Sequence, residues 1–333
     1  MHTYRRRVKA FAFGIAVMVL GLVVWSATAS GSSGRTQLTK VSINTASASA
    51  EWADIYVAQD LGLFAKQGLD VTTILATSEP GTVLLSGQAQ FSSGTPTTTY
   101  IDDSAGAKLS AVYSPGATYV AWDAKSDIKT PADLKGKTLG VFSLQDLDVV
   151  YTSEMMSQYG VKPGDYSMRA VGYSSAKLAA VKAGAVSAAP LYPPVNFQAE
   201  TDGLHQIFDT SQLKGGALPT FYIVKADWAK AHRSEVVGFM KALNQAHTWL
   251  FDPANKAKAI QIIVKHTQLP AAQAAASYAL FFTKPGVNYS KAGEWSAAAV
   301  QAAVPGLIKV GMIKKTYPYA NTVDLSYLKA ASS

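Results

Sequence analysis

Side chains suited to catalysis are few in this 333-residue sequence. It contains no cysteine, which excludes thiolate nucleophiles, disulfides and cysteine zinc sites. Of its histidines, His2 lies in the N-terminal segment, and three others fall on polar or mixed faces of predicted helices: His232, His247 and His266. No sequence motif of a zinc peptidase, serine hydrolase, phosphate-binding loop or dinucleotide-binding fold occurs at a strand–helix junction. The sequence therefore predicts a binding protein without cofactor or metal, not an enzyme.

Carboxylates, aromatic rings and small polar side chains are concentrated where the predicted strands end. In an open α/β sheet, ligands bind beyond the carboxyl ends of the strands, where the following helices present free N–H groups. The residues predicted to bind a ligand lie in these loops and on neighbouring strands: Ser47, Ser49, Glu51, Trp52, Glu79, Ser93, Gly94, Thr95, Tyr113, Ser143, Gln145, Asp146, Tyr192 and Tyr222. This set contains no lysine or arginine.

The side-chain types in this set indicate the chemistry of the ligand. Rings such as Trp52 and Tyr192 can stack on a flat solute, and a carboxylate such as Glu51 can accept two N–H bonds from an amino-heterocycle. An aromatic or aminopyrimidine-like ligand is therefore favoured. A sulfonate, taurine or nitrate anion is the alternative, because helix N-termini can bind anions without the help of an arginine.

Structural roles compete with ligand binding at several of these positions. Trp52 falls on the apolar face of a predicted helix and is equally suited to the core. Glu51 and Asp146 lie near predicted helix starts, where an acid is favoured by the helix dipole or acts as a cap. The serines at 47–49 and 92–93 are also typical of turns.

The stretch 51–71 shows the pattern of elements that positions these residues. Its apolar residues recur at helical spacing, and Gly68 follows where a left-handed helix cap is expected. Residues 69–75 then alternate as in a strand, and residues 41–45 form another short strand upstream. A succession of strand, loop, helix and strand is typical of a parallel sheet covered by helices.

Several segments, taken in order, resemble one known family. They are the helix that opens with Trp52 and continues as YVAQDLGLF and KQGLDV, then LLSGQAQF, TPADLKGKTLGV, AAVKAGAVSAAPLYPPV, FYIVKADWAK and HTWLFDPANKAKA. Their order and spacing resemble the periplasmic substrate-binding proteins of ABC importers. The most similar branch handles thiamine-pyrimidine precursors, taurine, aliphatic sulfonates and nitrate. The resemblance extends from about Val41 to the C-terminus.

The resemblance implies an α/β type II periplasmic-binding-protein fold, in which two lobes are joined by two crossing strands around a ligand cleft. The crossing strands are predicted at 118–123 and 221–225. Lobe 1 then comprises residues 40–122 plus 220–333, and lobe 2 comprises residues 123–219. The chain beyond the return crossing is predicted to be nearly all helical, with helices at 234–251, 253–267, 271–282 and 291–310.

The N-terminal segment has the form of an export signal. The basic sequence RRRVK at 5–9 precedes an apolar run and the small residues ATA at 27–29. Residues 1–29 are predicted to be a cleaved signal peptide followed by a flexible lead-in at 30–39, with a retained anchor and a twin-arginine signal as alternatives. The four basic residues supply half of the formal charge of +8, and the remainder is too small for a nucleic-acid-binding surface.

Sequence and resemblance together predict an exported protein of the periplasm or outer face of the cytoplasmic membrane, soluble after signal cleavage and monomeric. It is expected to bind a small solute and deliver it to the transmembrane subunits of an ABC permease. Two other functions stay open on this fold. One is a sensor lobe that serves a partner receptor. The other is a pyrimidine-precursor enzyme, although this sequence lacks the cysteine-rich motif and cleft histidine of the related eukaryotic group.

Overall fold

The structure, a computed structural model, describes residues 37–45, 47–76, 78–104, 106–284, 293, 295, 297–316 and 319–333. The predicted signal peptide and the lead-in up to residue 36 lie outside these residues. The described strands are β1 Thr39–Asn44, β2 Leu69–Ile74, β3 Phe91–Gly94, β4 Leu109–Ala117, β5 Ala121–Ala124, β6 Thr138–Val141, β7 Ser167–Ala170, β8 Ala188–Leu191, β9 His205–Asp209 and β10 Pro219–Lys225.

The α-helices alternate with these strands and then dominate the chain after β10. They are α1 Ala53–Asp60, α2 Leu63–Lys66, α3 Pro80–Leu85, α4 Pro96–Ser104, α5 Leu147–Gln158, α6 Ser174–Ala183, α7 Val195–Thr201, α8 Ala226–Ala231, α9 Arg233–Leu250, α10 Lys256–Thr267, α11 Ala271–Phe282, α12 Ala297–Lys309 and α13 Ser326–Ala331. In the part of the chain that is described, no helix has both the length and the apolar character needed to span a bilayer.

The strands form two five-stranded sheets. The order is β2-β1-β3-β10-β4 in the first sheet, which with its helices makes lobe 1, and β7-β6-β8-β5-β9 in the second, which makes lobe 2. In lobe 1, β1 is parallel to β2 and β3, and β10 is antiparallel to both of its neighbours. In lobe 2, β6 is parallel to β7 and β8, and β5 is antiparallel to both of its neighbours. The predicted α/β class with two lobes is confirmed.

The outward crossing differs from the prediction of one strand at 118–123. Strand β4 continues to Ala117, where it pairs with Pro219 of β10, and β5 begins only at Ala121, where it pairs with Leu191 of β8. Each strand therefore ends where its own lobe stops offering a partner. The crossing itself is the short segment 118–120, and the return crossing is the segment 210–218. The residue bounds of the two lobes stay a prediction.

The predicted helix that opens with Trp52 is divided into three short pieces. A 3-10 turn at Ala50–Trp52 precedes α1, and Gly62 in the left-handed conformation, with φ of +64°, separates α1 from α2. Gly68 also has a positive φ, +76°, as expected for the residue that ends this helical segment. The 3-10 turn thus brings Glu51 and Trp52 to the carboxyl end of β1.

Helix α9 packs on the lobe 1 sheet and contributes a row of buried side chains to its core. The ring of Phe239 on α9 stacks on Phe64 of α2 and on Phe91 of β3, with ring centroids 5.0 and 4.0 Å apart. All three side chains are buried. Because these contacts fix α2 and β3 against the same helix, they also fix the loops that follow β1 and β3.

Candidate functional site

A cavity of about 520 Å³ lies between the two lobes. The predicted site residues that line it come from both lobes: Ser47, Glu51, Trp52, Glu79, Ser93, Gly94, Thr95, Asp146 and Tyr192. Ser93 and Gly94 were expected in the loop after β3, but they belong to the strand, because they pair with Tyr222 and Phe221 of β10. Most of the residues predicted from the strand ends thus line one cavity.

Glu51 is an acid of lobe 1 whose position beside the cavity is fixed by two hydrogen bonds. The Oγ of Ser49 caps its 3-10 turn by accepting the N–H of Glu51 at 3.2 Å. The Oγ1 of Thr220 donates a hydrogen bond of 2.9 Å to Oε1 of Glu51. Burial raises the pKa of Glu51 to about 7, the bond from Thr220 opposes this rise, and the nearby Asp54 carboxyl adds to it. A carboxyl that changes charge near neutral pH therefore borders the cavity.

Trp52 belongs to the core and also borders the cavity. Its side chain is only 5% exposed and is part of the hydrophobic cluster of lobe 1. Its ring lies 6.0 Å from that of Tyr222, which is also buried in this cluster. The two interpretations that the sequence left open, core residue and cavity wall, are therefore compatible.

Asp146 is the corresponding acid of lobe 2. It is the N-cap of α5, and its Oδ1 accepts the N–H of Asp148 at 3.1 Å. Burial raises the pKa of Asp146 to about 7, and the neighbouring charge of Asp148 raises it further. Asp146 is therefore both the cap of a helix and part of the cavity wall.

The buried carboxylate of Asp148 connects three elements of lobe 2. Its Oδ2 accepts the N–H of Phe142 at 2.9 Å and the Nζ of Lys177 at 2.6 Å. Its Oδ1 accepts the hydroxyl of Tyr192 at 3.3 Å. The Nζ of Lys177 also lies 5.3 Å from the centre of the Tyr192 ring. Asp148 therefore fixes the position of the ring that lobe 2 presents to the cavity.

Lys177 corrects the expectation of a site without a basic side chain. It lines the cavity although its side chain is only 1% exposed, and its charge is matched by that of Asp148. Lys177 lies four residues after Tyr173, about one turn along α6, and therefore lies on the same side of the helix as the loop that precedes it. A search one helical turn beyond each loop would have found it.

Tyr113 and Tyr222 do not line the cavity, and this differs from their predicted role. The two residues pair across β4 and β10 on the face that α9 covers, and both are completely buried. The hydroxyl of Tyr222 donates to the Asp54 carboxylate at 2.7 and 2.9 Å. The hydroxyl of Tyr113 lies 2.8 Å from Nδ1 of His247. His247, expected on a mixed helix face, is also buried, and burial lowers its pKa to about 4.

The remaining predicted residues have structural contacts beside the cavity. Ser49 is buried, and its hydroxyl donates to the carbonyl of Pro193 in lobe 2 at 3.1 Å. The Oγ of Ser143 accepts the N–H of Gln145 at 3.3 Å in the loop before α5. The contact between Ser49 and Pro193 shows that the two lobes touch across the cleft.

Aromatic and hydroxyl side chains outside the predicted set complete the walls. The rings of Phe142 and Tyr173 lie 4.7 Å apart at the edge of lobe 2. Thr118 of the outward crossing and Thr220 of β10 also line the cavity. No sequence pattern marks these threonines, because their position depends on where β4 ends and β10 begins.

Comparison with known proteins establishes the family. A model described as "NMT1/THI5 like" matches residues 49–257, and the chain belongs to this family. No curated protein sequence matches it. The resemblance expected from the sequence segments is thereby confirmed at the level of the family and its fold.

Solved structures share the fold at low sequence identity. The periplasmic nitrate-binding protein NrtA from Synechocystis PCC 6803 is 15% identical with a TM-score of 0.76, covering 89% of this chain and 89% of that one. The periplasmic aliphatic sulphonate binding protein SsuA from Escherichia coli is 17% identical with a TM-score of 0.69, covering 86% and 92%. The desulfurization enzyme DSZB is 11% identical with a TM-score of 0.67, covering 88% and 99%. The fold is that of periplasmic binding proteins, and it also occurs in an enzyme.

Proposed function

We propose that this protein is the extracytoplasmic substrate-binding protein of an ABC importer. It binds a small organic solute between its lobes and delivers it to the transmembrane subunits of a permease. The family, the two-lobed fold and a cavity of about 520 Å³ support this proposal. A cavity of that size is suited to a solute of one or two rings. Among the described residues, the cavity walls offer aromatic, hydroxyl and carboxyl side chains for binding.

We further propose that the solute is a flat, amine-bearing ring compound, such as an aminopyrimidine. The observation that carries this proposal is the charge of the cavity wall. Among the described residues that line it, the acids are Glu51, Glu79 and Asp146, and the basic residue is Lys177. Because Lys177 is already paired with Asp148 at 2.6 Å, the acids are left for the ligand. An amine can complement them, whereas a second anion would add repulsion.

The aromatic walls support the same ligand class. Trp52 of lobe 1 and Phe142, Tyr173 and Tyr192 of lobe 2 all line the cavity. Rings on both sides can enclose a flat solute through offset stacking, and an electron-rich ring face also attracts a cation.

An anion is the second candidate, because Lys177 does line the cavity and two structural neighbours are a nitrate-binding protein and an aliphatic sulphonate binding protein. An anion would have to compete with Asp148 for the ammonium group of Lys177. The two candidates therefore predict opposite responses to the removal of an acid.

Calorimetric titration of the purified protein with 4-aminopyrimidine, ethanesulfonate and nitrate tests both candidates. We expect 4-aminopyrimidine to bind, and Glu51→Gln to weaken it by about tenfold or more, the usual effect of losing a charge-assisted hydrogen bond. The matched control Asp127→Asn removes an exposed acid of lobe 2 that does not line the cavity, and should leave binding unchanged. Binding of ethanesulfonate or nitrate alone would refute the amine proposal. Failure of all small solutes to bind would refute the importer proposal.

A further inference from the structure

Two threonines meet beside Glu51: Thr118 of the outward crossing and Thr220 of β10, just after the return crossing. The Oγ1 atoms of Thr118 and Thr220 are 3.0 Å apart. The Oγ1 of Thr220 also donates to Oε1 of Glu51 at 2.9 Å. A continuous line of hydroxyl groups therefore runs from the outward crossing, through β10, to the acid on the cavity wall.

The backbone holds both threonines in place. Thr118 is 2% exposed and Thr220 is 4% exposed. The N–H of Thr118 donates to the carbonyl of Leu218 at 2.8 Å, and the Oγ1 of Thr210 donates to the carbonyl of Thr118 at 3.0 Å. Thr220 is held in β10, where it pairs with Gly116 of β4. The hydroxyl group of Thr118 also hydrogen-bonds with that of Tyr151.

The other groups around Glu51 disfavour its charge. The neighbouring titratable side chains are Asp54 and Tyr56 on α1 and Tyr192 of lobe 2, and each is neutral or negative. Among the residues that the structure describes, no lysine, arginine or histidine forms an ion pair with Glu51. The hydroxyl of Thr220 is thus the polar side-chain group that supports a negative charge at this position.

The direction of the hydroxyl groups depends on the charge of Glu51, because each hydroxyl has one hydrogen. When Glu51 is ionised, Thr220 must donate to Glu51 and accept from Thr118. When Glu51 is protonated, it can donate to Thr220, and Thr220 can then donate to Thr118. Only the first arrangement leaves Glu51 as an acceptor on all sides, ready for a ligand N–H group.

We propose that Thr220, supported by Thr118, is a positioning residue that holds Glu51 ionised and oriented toward the amine of the ligand. This inference rests on the proposed function, since it concerns the same cavity. It adds that the specificity for an amine is set partly by the outward crossing and by strand β10, and not by the cavity loops alone.

Calorimetry with 4-aminopyrimidine and variants at positions 220 and 51 tests the inference. We expect Thr220→Val, which keeps the shape and removes the donor, to weaken binding by about tenfold, as for the loss of a bond to a charged group. Thr220→Ser should restore most of the affinity. In a Glu51→Gln background, Thr220→Val should change affinity less than about twofold, within the scatter of independent sites. Thr248→Val, on the exposed face of α9, is the matched control.

A measurement without ligand separates this inference from the proposed function. Carboxyl ¹³C NMR of the unliganded protein should show that Thr220→Val raises the pKa of Glu51 above its value of about 7, and that Thr118→Val raises it less. If 4-aminopyrimidine does not bind the wild type, the proposed ligand fails, and the titration alone decides whether Thr220 supports the charge. The inference would be overturned if Thr220→Val left the pKa of Glu51 unchanged. It would also be overturned if Thr220→Val weakened binding equally in the wild type and in the Glu51→Gln background.

Discussion

Replacing Asp148 by asparagine is the sharpest test of how lobe 2 holds its side of the cavity. The carboxylate of Asp148 and the ammonium of Lys177 are 2.6 Å apart, with side-chain exposures of 0% and 1%. Asparagine keeps an oxygen that can accept the N–H of Phe142, but it removes the negative charge. Lys177 would then be a buried cation without a partner.

The expected cost is large because the pair is buried. Breaking a buried ion pair by removing one partner costs about 3–5 kcal/mol, since the other charge stays in a medium of low dielectric. Folded proteins are stable by about 5–15 kcal/mol, so the variant should lose a large part of its stability. At roughly 2 °C per kcal/mol for a chain of this size, the melting temperature should fall by about 6 °C or more.

Lobe 2 contains a matched control for this experiment. Lys182 and Asp202 are also 2.6 Å apart, but their side chains are 49% and 20% exposed. Asp202→Asn should therefore lower the melting temperature much less than Asp148→Asn does, because water screens the exposed pair. Adding Lys177→Met to Asp148→Asn should recover much of the loss, because no buried charge is then left unpaired. Thermal unfolding followed by circular dichroism at pH 7 measures all four proteins. Equal losses for Asp148→Asn and Asp202→Asn would refute the argument from burial.

Two further predictions concern pH and export. The pKa of Glu51 and that of Asp54 are both raised to about 7 in the folded protein, so between about pH 4 and 7 the folded form binds more protons than the unfolded form. The free energy of unfolding without ligand should therefore fall as pH rises through this window, and it should fall less steeply in Glu51→Gln. Urea titrations at pH 5 and 7.5 measure this free energy in both proteins. An equal fall in the wild type and in Glu51→Gln would contradict the prediction. Mass spectrometry of the exported protein should find a first residue at or near Ser30, and a chain that still begins at Met1 would contradict the signal-peptide prediction.

Elements with local signals at both ends were predictable from the sequence. The sequence predicts a helix at 195–201 and a strand at 205–209. Helix α7 and strand β9 have these bounds, since Gly203 separates them with a positive φ. The sequence also predicts a strand at 89–91, but β3 ends three residues later, at Gly94, because its end is set by pairing with β10, which lies more than 120 residues further along the chain. The pairing register between strands that are distant in the chain thus could not be predicted from the sequence.

The residues of the candidate site also divide into those that could be predicted from the sequence and those that could not. Residues in the first turn after a strand, such as Glu51 and Asp146, could be placed because the carboxyl ends of parallel strands meet at one edge. Tyr113 and Tyr222 could not, because strand alternation does not tell which face of β4 and β10 the helix α9 covers. Lys177 was missed because its ion pair with Asp148 forms between two helices, α5 and α6, that are distant in sequence.

The distribution of acids between the lobes bears on how a ligand would favour closure. Glu51 belongs to lobe 1 and Asp146 to lobe 2, so bringing the lobes together moves two carboxyl groups into a cavity of low dielectric. On the proposed function, an amine that contacts both groups offsets this cost only when the lobes are together, as they are where Ser49 meets Pro193 at 3.1 Å. A ligand can shift such an equilibrium only by its difference in affinity for the two states. A ring of the same shape without an amino group gains the stacking contacts but not the hydrogen bonds to the two carboxyl groups, and should therefore favour closure less than an amine does.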